Sequence, residues 1–464
     1  MKRRMIAAMM AAALLAGCLA GCGNKPDTQK SSEADQGQNS SAGGDSSEGA
    51  SAEKDSDEVV TIKYVTWESK EEKNPIIDQF EKEHPNIKVE VTVVPDSNNT
   101  AESLDIIAMG GGEMDVWPFQ SGGQFSRMQQ GLLLDVSEYL EKDGINMDEW
   151  FGSYSEWGQY NGTYYGMPST ASVGMMFYNK DMFDAANVPY PEADWTIEDY
   201  KAIAEKLTTG EGGSKVYGTF QNTFPEEWGI YGAQTSSLYD EDGMSNFRMD
   251  NEDFINSLKL RKDMDDAGYE ISYAQNVANF SYSSVEFLSG RCAMTPGYSW
   301  VIRDMKDKEN FPFDFNVGVC YFPRVSEEAP MNPSQVSVGM LGIPASAEHP
   351  EEAWEFIKYY TQYGSAQTIS DGNIPTYQNE DTSVLVKELI ADTSLTEEQG
   401  ALFFADDIYT FTAVPTGVAA GEYATIINEE TGLYFSGEQS LEDTIDKIKT
   451  KADAAIQAAM EEAE

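Results

Sequence analysis

Residues Val59 to Val65 alternate in polarity, Ile87, Val89, Val91 and Val93 alternate again, and a short helical pattern lies between them. Alternation with a period of two suits a strand with one face buried, whereas Ile76, Ile77 and Phe80 recur at helical spacing. Pro75 stands at a helix start and His84-Pro85 at a stop. A strand, one helix and a second strand in close succession impose a right-handed parallel crossover, so the chain opens an α/β lobe. The pattern continues with Leu104 to Met109, the glycines Gly110-Gly111-Gly112 as a turn, and Asp115 to Phe119 as a short buried strand. Further on, Thr196 and Asp199 predict a capping box, Asp240 to Gly243 a tight hairpin turn, and Pro350 a helix start with its end at Gly364. Ser440 with Asp443 predicts the cap of a last helix carrying Leu441, Ile445, Ile448, Ala452, Ala455 and Ala459 on one face.

Ahead of this ordered region lie two segments of different composition. Lys2-Arg3-Arg4, the apolar run from Met5 to about Leu19 and the small residues after it have the layout of an export signal, too short for a comfortable permanent span. The tetrapeptide Leu-Ala-Gly-Cys occurs twice, ending at Cys18 and Cys22. A small-residue tripeptide directly before a cysteine resembles the lipobox of bacterial lipoproteins, which implies a signal peptide at 1–21 and a lipid on Cys22, with Cys18 as the alternative. Residues 22–58 are rich in Ser, Gly, Gln and charge and poor in apolar groups, a composition that reads as a disordered tether. The expected location is the extracytoplasmic side of the cell membrane, held by the lipid anchor.

The 464 residues carry 79 acidic against 31 basic side chains, a net charge of −48. Such a body offers no cationic surface to phosphates and argues against nucleic acid as a partner. It is also repelled by anionic lipid, so attachment must come from the anchor. Past the signal only Cys292 and Cys320 remain; an exported location permits a disulfide, and two buried thiols fit their apolar surroundings equally well.

Reactive chemistry is sparse. The two histidines, His84 and His349, each precede a proline at a helix boundary. They support neither a histidine-based hydrolytic triad nor a paired-histidine zinc site. The sequence has no nucleophile elbow, no phosphate loop and no dinucleotide fingerprint. Met244 breaks the spacing a calcium loop would need after Asp240. No catalytic residue, metal ligand or cofactor is therefore expected.

Aromatic residues make up 11% of the chain, many of them at strand ends or in loops. Ligands of open α/β sheets sit beyond the carboxyl ends of the strands, where Trp67-Glu68 and Phe119-Gln120 fall. Sugar rings offer an apolar C–H face for stacking and hydroxyls for hydrogen bonds, which suits aromatics beside Glu, Gln, Asn and Ser. The stretch Asn161 to Pro168, then Phe177 to Phe183, Phe287 to Met294 with Gly297-Tyr298-Ser299-Trp300, Val317 to Pro323 and His349 to Phe356 occur in one order. In that order they resemble the extracellular solute-binding proteins of sugar-type ABC transporters, the maltodextrin-binding and related lipoproteins.

The resemblance implies two α/β lobes of the periplasmic-binding-protein type, joined by hinge crossings near Pro168 to Ser172, Val319 to Pro323 and Lys358 to Gly364. Residues 59–170 with 323–361 would form the N-terminal lobe, and 171–320 with 362–464 the C-terminal lobe. It points to Trp67, Glu68, Phe119, Gln120, Ser172, Gln221, Asn222, Tyr298 and Trp300 as ligand-binding residues, with Trp228 and Asn373 as further candidates. Trp117 and Trp354 are assigned to the core. The implied function is capture of a neutral carbohydrate, mono- or oligosaccharide, by a lipid-anchored monomer that delivers it to permease subunits in the membrane. Alternatives are an exported carbohydrate-active enzyme with two opposed carboxylates, a surface adhesin, and a receptor for a non-sugar solute.

Overall fold

The computed structural model describes residues 59–462 apart from 68–73, 95–99, 112, 121–123, 224–228, 237–250, 280, 379–380, 406 and 412–418. Strand β1 (Val60–Thr66) lies parallel to β2 (Ile87–Val93), from Val60 against Ile87 to Thr66 against Val93, with helix α1 (Pro75–Glu83) as the crossover. Asn74 caps α1 by accepting from the Ile76 amide at 3.0 Å, and Pro75 takes the first helical position, where no amide hydrogen is needed. Ile76, Ile77 and Phe80 are buried, and His84 ends the helix with its ring stacked 4.5 Å from Phe80. Helix α2 (Thr100–Gly110) leads to β3 (Trp117–Gln120). Buried Asp115, just before β3, accepts from the Lys63 amide at 2.9 Å and from the Glu348 and His349 amides at 3.0 Å. One carboxylate thus ties β1 to the start of α5 (Pro350–Tyr359), and His349 serves the backbone there.

The centre of the molecule is β4 (Gly166–Asn179), a strand of 14 residues. Its first half, Gly166 to Val173, pairs with β7 (Pro333–Gly342), and Thr170 and Ala171 also pair with β8 (Ile374–Pro375). Its second half pairs with β5 (Met294–Tyr298) through Gly174 to Tyr178 and with β6 (Val317–Cys320) through Met176 to Asn179. Both neighbours of β4 therefore change between Ala171 and Met176. Gly174 permits the change: a Cβ there would stand 2.8 Å from the Phe322 ring and 2.9 Å from the Gln335 carbonyl oxygen. β3 and β9 (Tyr409–Phe411) complete this seven-stranded sheet by pairing with β7.

Two of the core clusters follow the same division. One core cluster is drawn from residues between Ile62 and Met167 and between Leu341 and Tyr360, Trp354 among them. A second runs from Met176 to Ala329 around Trp195 and Tyr200 of the helix α3 (Ile197–Leu207) region. A third joins α4 (Glu252–Asp266) to α6 (Ala420–Phe435) and α7 (Leu441–Glu462), with Ile448, Ala452 and Ile456 inside. A fourth spans β3, β4, β6 and β7 and includes Trp117. Val319 pairs with Phe177 in the second half of β4, and Val325 and Ala329 pack with Trp195 and Tyr200.

The Thr196–Asp199 capping box forms, and the Asp443 amide donates to Ser440 Oγ at 3.1 Å at the start of α7. Helix α5 passes at Tyr360 into a π turn ending at Gly364, followed by a 3₁₀ run, Ser365–Asp371. Cys292 and Cys320 are free thiols, and burial pushes both above the usual thiol range. The export signal, Cys18, Cys22, the tether and the hairpin turn expected at Asp240 to Gly243 lie outside the described residues. No described helix is long and apolar enough to cross a membrane.

Candidate functional site

Where β4 changes neighbours, a recess with about 750 Å³ of atom-free space, part of it open to solvent, indents the first half of the sheet. β1 ends into it with Thr66 and Trp67, and β3 contributes Phe119 and Gln120 from its last two positions. Both strands thus deliver their carboxyl ends to the opening. The floor is made by Ser169, Thr170 and Ser172 of β4 and by Ser337 and Gly339 of β7, the cross-strand partners of Ser172 and Thr170. Thr368, Asp371 and Asn373 close one side from the 3₁₀ run and its exit.

Chemically the recess is a ring of hydroxyls and amides with two aromatic walls. The described lining residues include a single carboxylate, Asp371, and no lysine, arginine or histidine. Hydroxyls and amides both donate and accept, as do the hydroxyl groups of a polyol. Among the described residues, no group of three or more His, Cys, Asp or Glu side chains could hold a metal ion.

Five of the residues expected to bind ligand, Trp67, Phe119, Gln120, Ser172 and Asn373, meet in this recess. Tyr298 ends β5 opposite Gly174, and Trp300 follows it, half-buried, with its ring stacked 5.3 Å from Tyr282 at 29°. Gln221 and Asn222 lie elsewhere: they are 1% and 2% exposed, beneath α4. Their carbonyls accept from Arg261 at 3.2 and 2.5 Å, and Asn222 Oδ1 accepts from the Ser283 amide at 3.0 Å. Asn222 thereby anchors the start of the segment that follows Tyr282. Glu68 and Trp228 lie outside the described residues.

Sequence reasoning missed Ser169, Thr170, Ser337, Thr368 and Asp371. None of them sits in a motif. One signal was present in the two strands: hydroxyl residues interrupt Met-Pro-Ser-Thr-Ala-Ser-Val and Gln-Val-Ser-Val-Gly, stretches otherwise fit for full burial. Polar side chains inside such strands need partners, from the protein or from a ligand.

A family model described as bacterial extracellular solute-binding protein matches residues 66–367. The multiple sugar-binding protein of Streptococcus mutans is 24% identical over 349 residues, covering 69% of this chain and 75% of that one. The sn-glycerol-3-phosphate-binding periplasmic protein of Pectobacterium atrosepticum is 24% identical over 282 residues, covering 57% and 62%. An ABC substrate-binding protein of Listeria monocytogenes, solved in complex with cycloalternan, superposes with a TM-score of 0.73 at 21% identity, covering 87% of this chain and 99% of that one. A Mycobacterium tuberculosis protein, solved in complex with glycerophosphocholine, gives 0.70 at 16% identity with coverages of 87% and 99%. These similarities define the fold as the two-lobed α/β arrangement of periplasmic binding proteins.

Proposed function

The chain belongs to the bacterial extracellular solute-binding protein family, and from that premise we propose that it captures a neutral carbohydrate outside the membrane and delivers it to the permease of an ABC importer. The observation that carries the choice of ligand is the lining of the recess: hydroxyls, amides and aromatic rings, one carboxylate, and no cationic group among its described residues. A phosphate-bearing solute, such as those named for two of the similar proteins, would lose its hydration in the recess without a cation or charge-assisted donor to replace it. A neutral sugar loses far less there. Among the described lining residues a lone carboxylate falls short of the opposed pair that glycoside hydrolysis requires, which favours binding over cleavage.

The lobes we propose are 59–170 with the chain from about 333 to 361, and 171–332 with 362–464. β4, β7 and the turn from Tyr359 to Asp371 would act as the crossings about which they close. Closure adds contacts from the second lobe, so a ligand shifts the open-to-closed equilibrium only by its preference for the closed state. Cys22, or alternatively Cys18, would carry the lipid, and 22–58 would span from membrane to receptor.

Thermal unfolding of the chain from residue 59 onward, with a panel of monosaccharides and oligosaccharides, tests the reading. A ligand that binds only the folded state raises the melting temperature with dose. At least one saccharide should do so, while glycerol-3-phosphate and glycerophosphocholine should not. Stabilisation by either phosphate compound and by no saccharide would overturn the proposal.

A further inference from the structure

The floor of the recess continues one row past its last lining residues. Residues two apart on a strand share a face, so Gln335 of β7 lies on the side of Ser337 and Gly339, both of which line the recess. Val336 and Val338 turn the other way, into the core cluster that includes Trp117. On β4 the floor face carries Thr170 and Ser172, opposite Gly339 and Ser337, and then Gly174. Gly174 adjoins Gln335, since a Cβ there would lie 2.9 Å from the Gln335 carbonyl oxygen. Its partner on the other side is Tyr298 of β5. Directly opposed residues of an antiparallel pair point to the same face, so Gln335 and Tyr298 flank Gly174 on the floor side of the sheet. Two residues of strand span about 7 Å, which puts the Gln335 amide within reach of a ligand resting on Ser337 and Ser172.

Gln335 is 0% exposed, and neither its Nε2 nor its Oε1 has a hydrogen-bond partner among the described residues. Gln234, equally buried, shows how a structural glutamine is used: its Nε2 donates to the Pro323 carbonyl at 2.9 Å, and its Oε1 accepts from the Val325 amide at 2.9 Å. An amide buried with both ends idle costs the fold more than an apolar side chain of the same size. A partner from outside the chain accounts for such a group. The Phe322 ring lies over Gly174, 2.8 Å from the Cβ that a larger residue would carry there, and so stands beside Gln335. In the lobes proposed above, Gln335 belongs to the first, and Phe322 and Tyr298 to the second. Parting of the lobes therefore draws the second lobe's side chains away from the amide. We propose, building on the carbohydrate reading, that Gln335 is a specificity-determining residue whose amide, uncovered as the lobes open, donates to and accepts from hydroxyls of the saccharide. One amide carries both a donor and an acceptor, as a sugar hydroxyl does.

Calorimetric titration with glucose, galactose, mannose and their 1,4-linked dimers, and with monodeoxy analogues of the saccharide that binds, tests the assignment in the parent and in Gln335→Met and Gln335→Leu. Both variants keep the volume and remove the amide. They should melt at the parent's temperature or above it, because a buried polar group without a partner has been removed. Saccharide affinity should fall about tenfold or more, the scale of a hydrogen bond to a buried group left unmade. At least one deoxy analogue that binds the parent more weakly than the full sugar should bind Gln335→Met within about twofold of it, since the partner of the missing hydroxyl is gone. Affinity within about twofold of the parent in both variants, or the same penalty for every deoxy analogue in parent and variant, would overturn the role of Gln335 and leave the carbohydrate reading standing. A lowered melting temperature or loss of folding in both variants would assign the amide to the fold and overturn it as well. Absence of binding to the parent by every saccharide would overturn both.

Discussion

At the scale of single residues, the buried neighbours Arg261 and Glu270 couple folding to pH. Arg261 and Glu270 are 1% and 2% exposed and stand 3.9 Å apart, while the guanidinium donates its hydrogen bonds to the Gln221 and Asn222 carbonyls. Burial pushes the Glu270 carboxyl up to about 8; Arg261 pulls it down and Asp265 pushes it up, both less strongly than burial acts. Between the ordinary carboxyl range and pH 8 the folded chain then binds a proton that the unfolded chain has released. Stability contributed by this group is present at low pH and is lost as pH rises toward 8, with a slope of at most about 1.4 kcal/mol per pH unit. Urea unfolding from pH 5 to 9 should give a steeper fall for the parent than for Glu270→Gln, which keeps the shape without the titration. Parallel pH profiles would dismiss this role. Gln221 and Asn222 illustrate what the sequence hides at this scale: a buried arginine holds both backbones, and the Asn222 side chain, of a type suited to a sugar site, accepts from the Ser283 amide.

Elements were legible where their ends carry their own chemistry. The β1–α1–β2 unit could be read from period and from Pro75 and His84-Pro85, and α7 from Ser440 and its apolar stripe, because caps and periodicity are local. The exchange of strand partners was harder to read. β4 is a single extended strand whose neighbours change, and no residue within it announces that; the bulge between Pro168 and Thr170 and the steric demand at Gly174 arise from partners far away in sequence. The recess hydroxyls escaped notice for the same reason, as their meaning depends on a cross-strand partner such as Ser337 opposite Ser172. The α3 terminus is a case where local and distant chemistry coincide. Thr196 Oγ1 accepts from the Asp199 amide at 3.4 Å, Asp199 Oδ2 accepts from the Thr196 amide at 2.9 Å, and the next amide, Ile197, donates to the Arg324 carbonyl at 2.9 Å. Removing the cap should therefore loosen both the helix and the 324 segment. Thr196→Ala should cost about 1 kcal/mol in urea unfolding, and a change below about 0.3 kcal/mol would mean that Asp199 alone sustains the terminus.

For the whole molecule, the dominant quantity is the net charge of −48. The ion pairs described are mostly at the surface, such as Lys88–Glu81 and Lys201–Asp263, and pairs of that kind contribute little each. Self-repulsion of the acidic excess should then outweigh them, and salt, which shortens the screening length from about 30 Å at 0.01 M to about 3 Å at 1 M, should relieve it. The melting temperature is expected to rise from 10 mM to 0.5 M sodium chloride, roughly within those screening limits. Binding obeys a different rule, because a neutral saccharide carries no charge into the recess. Its affinity should stay within about twofold over the same range, whereas an anionic ligand approaching so acidic a body would bind more tightly as salt screens the repulsion. Measuring melting temperature and saccharide affinity in one salt series therefore examines fold and ligand separately. A melting temperature that falls with salt would mean that attractive ion pairs outweigh repulsion, and a saccharide affinity that tracks salt would mean that charge enters the recess in some form other than Asp371.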